Sequence, residues 1–373
     1  MRHCDVIVTY CWNRVGYNIL RCLTNHGLSV IVGDTSDRNI CSMSKFATAN
    51  FTYPDPFTEE ENFISCLIER IYEYKPKVLI PTHDESLVIA KHRNRFPKEL
   101  IIPIADYKLL QSLSDKYQAT LMAYKAEVPT PKLYSDLKNC TYPLIIKTKI
   151  GNSAKGVYIA KTESQAQIIL DKYNPEEILI EEFIPGYDIC VDCIRYPGFF
   201  HATVYKALLT KTNGGGTTTQ RVIVDIPLLT EFAKQLLDSV DYHGVCGIDF
   251  RYNEKTNEYA FIEVNARYTG GLATPIAAGF DIPYIHYCLA TQGKYDTEIN
   301  IKYGTKTKWI LGDIITLVSS IVSLSLTWQK LRQILSFKGY DAFDDFRQDD
   351  KKAIIGEMSY YINKLLKNKK LNP

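Results

Sequence analysis

The chain lacks an excess of charge of either sign: 44 lysines and arginines stand against 42 aspartates and glutamates in 373 residues, a net charge of +2. No general field therefore gathers nucleic acid or a membrane, and any electropositive site has to be local. It also lacks an apolar run long enough to span a bilayer. The run IITLVSSIVSLSL, Ile314 to Leu326, is shorter than the ~20 residues a membrane helix needs and reads as a buried helix. The N-terminus, MRHCDVIVTYCWN, has no basic, apolar and small-residue order like that of a secretory signal, and the ten cysteines are scattered. The expected setting is the cytoplasm, with reduced thiols. Cys190 and Cys193 in DICVDCIRY do form a CxxC, but the segment alternates like a strand, which points residues three apart to opposite faces and argues against zinc. The glycines of a dinucleotide site are missing as well. The first βα turn, TYCWNRVG, has only Gly16 where close approach to a pyrophosphate wants G-x-G-x-x-G.

What is present is an ordinary globular composition, 46% hydrophobic and 23% charged, in a chain too long for one core. DVIVTY, LSVIVGD and KVLIPT read as buried strands, and VGYNILRCLTNHG and about Glu59 to Tyr74 as helices, a doubly wound parallel pattern reaching about residue 105. Open parallel sheets bind ligands beyond the carboxyl ends of their strands. PTHDES lies there, so Thr82, His83, Asp84 and Glu85 are substrate candidates, with loop capping as the competing reading. A helix around Ser114 to Ala126 leads to VPTPKLY, a linker by its prolines. Beyond it, strands at Leu144 to Thr148 and Gly156 to Ala160 flank a loop of small residues, Gly151 to Gly156, whose amides and the charges of Lys147 and Lys155 suit an anion.

FIEVNARYTGG is the most informative stretch. Alternation places Phe261, Glu263, Asn265 and Arg267 on one face of a strand and Ile262, Val264 and Ala266 on the other. VCGIDFRY pairs with it as an antiparallel hairpin through the turn NEKTN, with Cys246, Ile248 and Phe250 on one face. A turn centred near Thr256 sets Asp249 opposite Glu263, Cβ atoms ~5 Å apart. Two carboxylates so placed repel unless a cation lies between them. With the Asn265 amide, this hard oxygen set suits Mg²⁺ shared with phosphate oxygens, and Arg267 on the same face can fork onto a phosphoryl group.

These parts, from about residue 1 to 300, fall in the order and spacing of the ATP-grasp superfamily. The chain resembles the branch holding carbamoyl-phosphate synthase halves, biotin carboxylase and D-alanine:D-alanine ligase, and the E-x-N-x-R of Glu263, Asn265 and Arg267 is the most specific motif. The resemblance implies an α/β and α+β fold: a Rossmann-like pre-ATP-grasp domain over 1–108, a two-lobed ATP-grasp domain over 109–300 with its lid about 128–184, and a small helical extension over 301–373. It implies ATP and two Mg²⁺, or Mn²⁺ in their place, held by Asp249, Glu263 and Asn265, with Arg267 steadying the transferring phosphate or acyl intermediate. Lys116 and Lys147 would touch the nucleotide phosphates, and Gly151, Ser153, Lys155 and Gly156 would belong to the closing loop. The hinge LIEEFIPGYD would clasp adenine through Glu181, Glu182, Phe183 and Ile184, with Asp188 on the ribose, where relatives more often carry Glu. In YKALLTKTNGGGTTTQRV, Lys206, Lys211 and Arg221 bring charge from the other side, and Lys206 and Arg221 are catalytic candidates.

Enzymes of this kind phosphorylate a carboxylate with ATP and let an amine attack the acyl phosphate. The expected function is therefore a carboxylate-amine ligase on small molecules, with a small-molecule kinase or a non-catalytic nucleotide sensor as alternatives. Neither the R-D-C-S-x-Q-R-R type of segment of biotin carboxylases nor an internal duplication is present, which argues against biotin carboxylation and a full synthase. Nucleic acid and membrane partners are not expected, and the frequent dimerisation of relatives leaves a homodimer open. At the C-terminus, Ile354, Ile355, Met358, Tyr361, Ile362, Leu365 and Leu366 share a helical stripe, with Lys369 and Lys370 beyond. That pattern reads as a closing helix docked on the body, a membrane-surface role being the second reading.

Overall fold

The computed structural model describes residues 3–151, 156–212 and 215–368, with the backbone alone for 212, 215, 216 and 365–368. At the N-terminal end, Asn13 accepts hydrogen bonds from the Val15 and Gly16 amides and so starts the first helix. β1 (Val6–Val8), α1 (Arg14–Asn25), β2 (Val30–Asp34), β3 (Ala49–Thr52), α2 (Glu60–Tyr74), β4 (Val78–Ile80) and α3 (Glu85–Lys91) follow in turn. The four strands form a parallel sheet in the order β3-β2-β1-β4. Both faces of such a sheet are covered, and the continuous apolar runs serve that need. Val6 and Val8 pack with Tyr17, Ile19 and Leu23 of α1, while Ile7, Ile31 and Leu79 pack with Phe63, Ile64 and Leu67 of α2.

α4 (Tyr107–Ser114) and α5 (Lys116–Lys125) lead into the second region. The two are separate because Asp115 turns extended and caps α5, accepting from the Tyr117 and Gln118 amides. A small antiparallel sheet comes next: β5 (Leu133–Tyr134), β6 (Leu144–Thr148), β7 (Val157–Ala160) and, after α6 (Glu163–Leu170), β8 (Ile178–Glu182), in the order β5-β8-β6-β7.

The largest sheet starts with β9 (Tyr187–Tyr196), β10 (Phe199–Thr212) and β11 (Gly215–Val224). It continues, after α7 (Pro227–Ser239), with β12 (Gly244–Asn253) and β13 (Glu258–Asn265). Beyond α8 (Ala273–Ala277) and α9 (Ile282–Gln292), the chain adds β14 (Lys306–Lys308), α10 (Ile310–Val322), α11 (Trp328–Leu335), β15 (Ala342–Phe343) and α12 (Lys351–Asn368). The order is β13-β12-β9-β10-β11-β14-β15, so the segment past 300 carries, besides its helices, two strands that extend this sheet at its edge. Beneath the sheet, Val191, Cys193, Ile248, Phe250 and Val264 meet Leu110, Leu113, Ala119 and Ala123 of α4 and α5 and Leu236 of α7. Each aliphatic side chain buried there stabilises the fold by about 1.5–3 kcal/mol.

Two expectations about apolar helices are corrected. The Ile314 to Leu326 run is not buried: α10 turns Asp313, Thr316 and Ser320 inward, while Ile314, Val318, Ile321 and Val322 face out. In α12, Ala353 and Tyr361 are buried, but Ile355, Met358 and Ile362 of the apolar stripe are exposed. α12 is docked on the body all the same. Tyr360 stacks on Trp12 at 4.8 Å, and Glu357 is fully buried beside Trp309.

Candidate active site

The β12–β13 hairpin carries the register that the alternation predicted. Gly247 pairs with Asn265, Ile248 with Val264 and Asp249 with Glu263. A bulge then shifts the pairing by one, so that Phe250 meets Phe261. This corrects one assignment. Phe261 does not share the face of Glu263 but lies fully buried with Val264 and Phe250, because the bulge reverses the alternation at Ile262.

Asp249, Glu263 and Asn265 do converge. The Asn265 Nδ2 donates to Asp249 Oδ2 at 3.1 Å and to Glu263 Oε1 at 3.4 Å. Burial, and after it the Glu263 charge, pushes the Asp249 carboxyl up to about 7. The donor set fits a hard divalent ion: two carboxylates face each other, and the amide now offering them its N–H also carries an oxygen. Nearby, the Lys116 Nζ lies 3.6 Å from Glu263 Oε2 and donates to the Gly151 carbonyl. Lys147 is buried, with its Nζ 2.8 Å from Glu181 Oε1 and 3.5 Å from the Ile262 carbonyl. Lys116 of α5 thus stands beside Glu263, while Lys147 of β6 pairs with Glu181 and reaches the backbone carbonyl next to Glu263. The loop between β6 and β7 starts at exposed Gly151 and ends at Gly156, whose carbonyl accepts from the Thr148 amide. Ser153 and Lys155 lie outside the described residues.

The hinge is arranged differently from the expectation. Glu181 is buried, with Oε1 paired to Lys147 inside the sheet and Oε2 without a partner. Glu182 is exposed and its Oε2 accepts from the Lys132 amide, and Phe183 and Ile184 are half-buried. Gly186 has a φ of 117°, and a Cβ there would meet the Tyr252 carbonyl oxygen at 1.8 Å, so the turn after Pro185 admits glycine alone. Asp188 pairs with Arg251 Nη1 at 2.6 Å, and Arg251 Nε donates to the Ile184 carbonyl. Arg251 was not anticipated. The β9–β12 register that places it opposite Asp188 joins segments far apart in sequence.

Arg267 ties the acid hairpin to the turn after β4. Its Nε donates to Asp84 Oδ1 at 2.8 Å, and Asp84 Oδ2 lies 3.4 Å from His83 Nδ1. His83 stacks on Tyr10, ring centroids 5.0 Å apart. Burial and the Arg267 charge lower His83 to about 4, so it is neutral. The other two substrate candidates turn inward. Glu85 is fully buried, accepts from Thr9 Oγ1 and from the Thr82 and His83 amides, and is pushed up to about 7 by burial. Thr82 is likewise buried, donating to the Thr9 carbonyl. These two residues hold the turn, and of the four candidates Asp84 is the one that reaches Arg267.

Arg221 is fully buried, paired with Asp344 and donating to Thr274 Oγ1 at 2.9 Å and to the Gly270 carbonyl at 3.5 Å, so its charge is met within the body. Arg14 reaches the same Asp344 and the Gly270 carbonyl from α1. Lys206 is half-buried over the Tyr187 ring at 3.8 Å. Lys211 sits 5.8 Å from the Trp309 ring centroid and is lowered to about 8 by burial and then by Arg14. Asp192 also escaped the sequence reading. It is buried behind Asp249, accepts from Thr269 Oγ1 at 2.7 Å, and has its second oxygen without a partner. DICVDC did hold a signal, since its alternation puts Asp188, Cys190 and Asp192 on one face. Cys193 faces the opposite core, 3.4 Å from the Cys246 sulfur, as the strand reading of the CxxC requires.

A parallel sheet, a small antiparallel sheet and a large sheet with an acid hairpin together make the ATP-grasp fold. Residues 174–312 match the family model described as ATP-grasp in the biosynthetic pathway with Ter operon. Among curated proteins, the chain is similar to the D-alanine--D-alanine ligase of Coprothermobacter proteolyticus, 24% identical over 172 residues. That match takes in 38% of this chain and about half, 56%, of the relative's length. Among solved structures, the biotin carboxylase domain dimer of the Hydrogenobacter thermophilus 2-oxoglutarate carboxylase, in complex with MgADP, ADP and bicarbonate, superposes with a TM-score of 0.67. Identity is 14%, over 82% of this chain and 74% of that one. The L-amino acid ligase of Bacillus licheniformis gives a TM-score of 0.64 at 15% identity, over 81% and 78%.

Proposed function

We propose that the chain is an ATP-dependent ligase that phosphorylates a carboxylate to an acyl phosphate and joins it to an amine, releasing ADP and phosphate. The observation carrying this reading is the Asp249–Glu263 pair across β12 and β13, bound together by Asn265, with Lys116 3.6 Å from Glu263 and Lys147 on the neighbouring Ile262 carbonyl. The ligase similarity and the fold support it. Asp249, Glu263 and Asn265 would hold two Mg²⁺, which supply charge neutralisation to the phosphate oxygens.

This chain's own groups do the rest by position and charge. Lys116 and Lys147 bind the phosphate tail, each already drawn to an acid that orients its ammonium. The hinge from Glu182 to Ile184 offers backbone groups to adenine, and Asp188, held by Arg251, faces the ribose. Arg267, oriented by Asp84, turns its remaining N–H groups to the phosphoryl oxygens. A substrate carboxylate oxygen attacks the terminal phosphorus as the bridging oxygen leaves with ADP. The amine nitrogen then attacks the acyl carbon and the phosphate departs, its charge met by Arg267. The glycine loop from Gly151 to Gly156 keeps water from the acyl phosphate. Positioning of this kind contributes more to phosphoryl transfer than covalent catalysis does.

An ADP-release assay over pools of small carboxylates and amines tests the proposal. Release that needs both an acid and an amine is the expected result. Release without an amine, leaving a stable phosphate product, identifies a kinase, and nucleotide binding without any release identifies a sensor.

A further inference from the structure

The α10–α11 hairpin is built inside out. A helix on a protein surface normally buries its apolar stripe. α10 buries Asp313, Thr316 and Ser320 and shows its aliphatic face to solvent, with Val322 80% exposed. The connecting turn continues the pattern: Leu324 is 95% exposed and holds a φ of 54°, a left-handed conformation that a branched side chain seldom adopts. α11 then presents Trp328, 72% exposed, with Arg332 and Leu335 one and two turns further along the same face. A contiguous apolar surface of this kind on a folded protein marks a contact.

Charge decides what makes that contact. Residues 301–373 hold 13 lysines and arginines and 7 acids, a balance of +6, whereas residues 1–300 hold 31 and 35, a balance of −4. Five of the seven acids, Asp313, Asp344, Asp345, Asp350 and Glu357, are buried. From Ile314 to Tyr340 the sequence has no acid at all, and Lys330, Arg332 and Lys338 flank the apolar tip. A second copy of the chain would bring two positive rims together, which like charges oppose. Nucleic acid would meet the rim but leave the aliphatic and indole groups unsatisfied.

We infer that the α10–α11 hairpin docks the protein on an anionic lipid surface. Val322, Leu324 and Trp328 enter the headgroup boundary, and Arg332 and Lys338 meet lipid phosphates, their stems lying along the apolar layer. No helix among the described residues is long and apolar enough to cross a membrane, so the contact is peripheral. The inference stands independently of the ligase reading, because the hairpin contributes nothing to the acid site.

The test is co-sedimentation of the full chain with vesicles of phosphatidylcholine alone or mixed with phosphatidylglycerol, together with tryptophan emission and sedimentation velocity. The expected result is binding to the mixed vesicles only, weakened by salt, with a blue shift that Trp328→Phe removes. Leu324→Ser with Val322→Ser lowers the affinity more than about tenfold. Replacing Arg332 or Lys338 by Gln lowers it about fivefold for each charge. These changes sit on the surface and leave thermal stability and nucleotide binding as they were. Absence of binding to the mixed vesicles overturns the inference, as does equal binding to phosphatidylcholine alone. A monomer–dimer equilibrium that Leu324→Ser abolishes also overturns it, showing a second copy on this face.

Discussion

The β12–β13 hairpin and α10 pose the same question in two periods. Each shows a polar set and an apolar set on opposite faces, and they answer in opposite senses. In the hairpin the apolar face, Ile248, Phe250 and Val264, goes to the core, and Asp249, Glu263 and Asn265 converge on the opposite face. In α10 the polar face goes in, because Asp313 finds Lys308 at 3.0 Å and Gln220 at 2.6 Å within the body. Periodicity establishes that two faces differ. Which of them is buried depends on partners that the local sequence does not contain.

That contrast is breakable by mutation. Phe261→Ala removes a ring that the bulge sends into the core, and it lowers stability by about 3–5 kcal/mol. Ile321→Ser on α10 changes stability by less than about 0.5 kcal/mol, as an outward position does. Chemical denaturation of both variants reads the difference, and comparable losses would mean that α10 is covered within the monomer. Next in size, Glu263→Gln keeps the shape of the site while removing one charge. ADP release falls by about a hundred- to a thousandfold, and near-normal turnover would remove the acid pair from the chemistry.

A pH effect follows from Asp249. Its free-protein carboxyl is raised to about 7, so protons and Mg²⁺ compete for it. Below that pH the affinity for Mg²⁺ falls by up to about tenfold per unit, and above it the affinity levels off. Calorimetric titrations from pH 5.5 to 8.5 follow the slope, and Asp249→Asn flattens it. The smallest effect is at the Asp84–Arg267 contact. Asp84→Asn keeps a hydrogen bond to Arg267 but not the ion pair, and the apparent Michaelis constant for the acid rises severalfold while that for ATP changes less. Equal changes in both would assign Asp84 to architecture alone.

Much of the fold was legible because its signals are local: apolar strands bounded by turns, and an Asp249–Glu263 register set by a short turn. The central site was legible for the same reason. Arg251 on Asp188, Lys147 on Glu181 and Arg221 on Asp344 were not, since each joins strands or domains that only the folded topology brings together. The inward turn of Glu85 was hidden because its partners, Thr9 and two loop amides, converge from β1 and β4. Sequence places a carboxylate at a sheet edge without saying whether it points to a ligand or caps its own loop.

Titration of a non-hydrolysable ATP analogue into the protein, with and without Mg²⁺, tests the central claim most directly when repeated on Glu263→Gln. The account predicts tight binding that depends on Mg²⁺ in the unaltered chain and loses that dependence in the variant. Binding of equal strength with the metal chelated, or a Mg²⁺ dependence unchanged by the substitution, would contradict it.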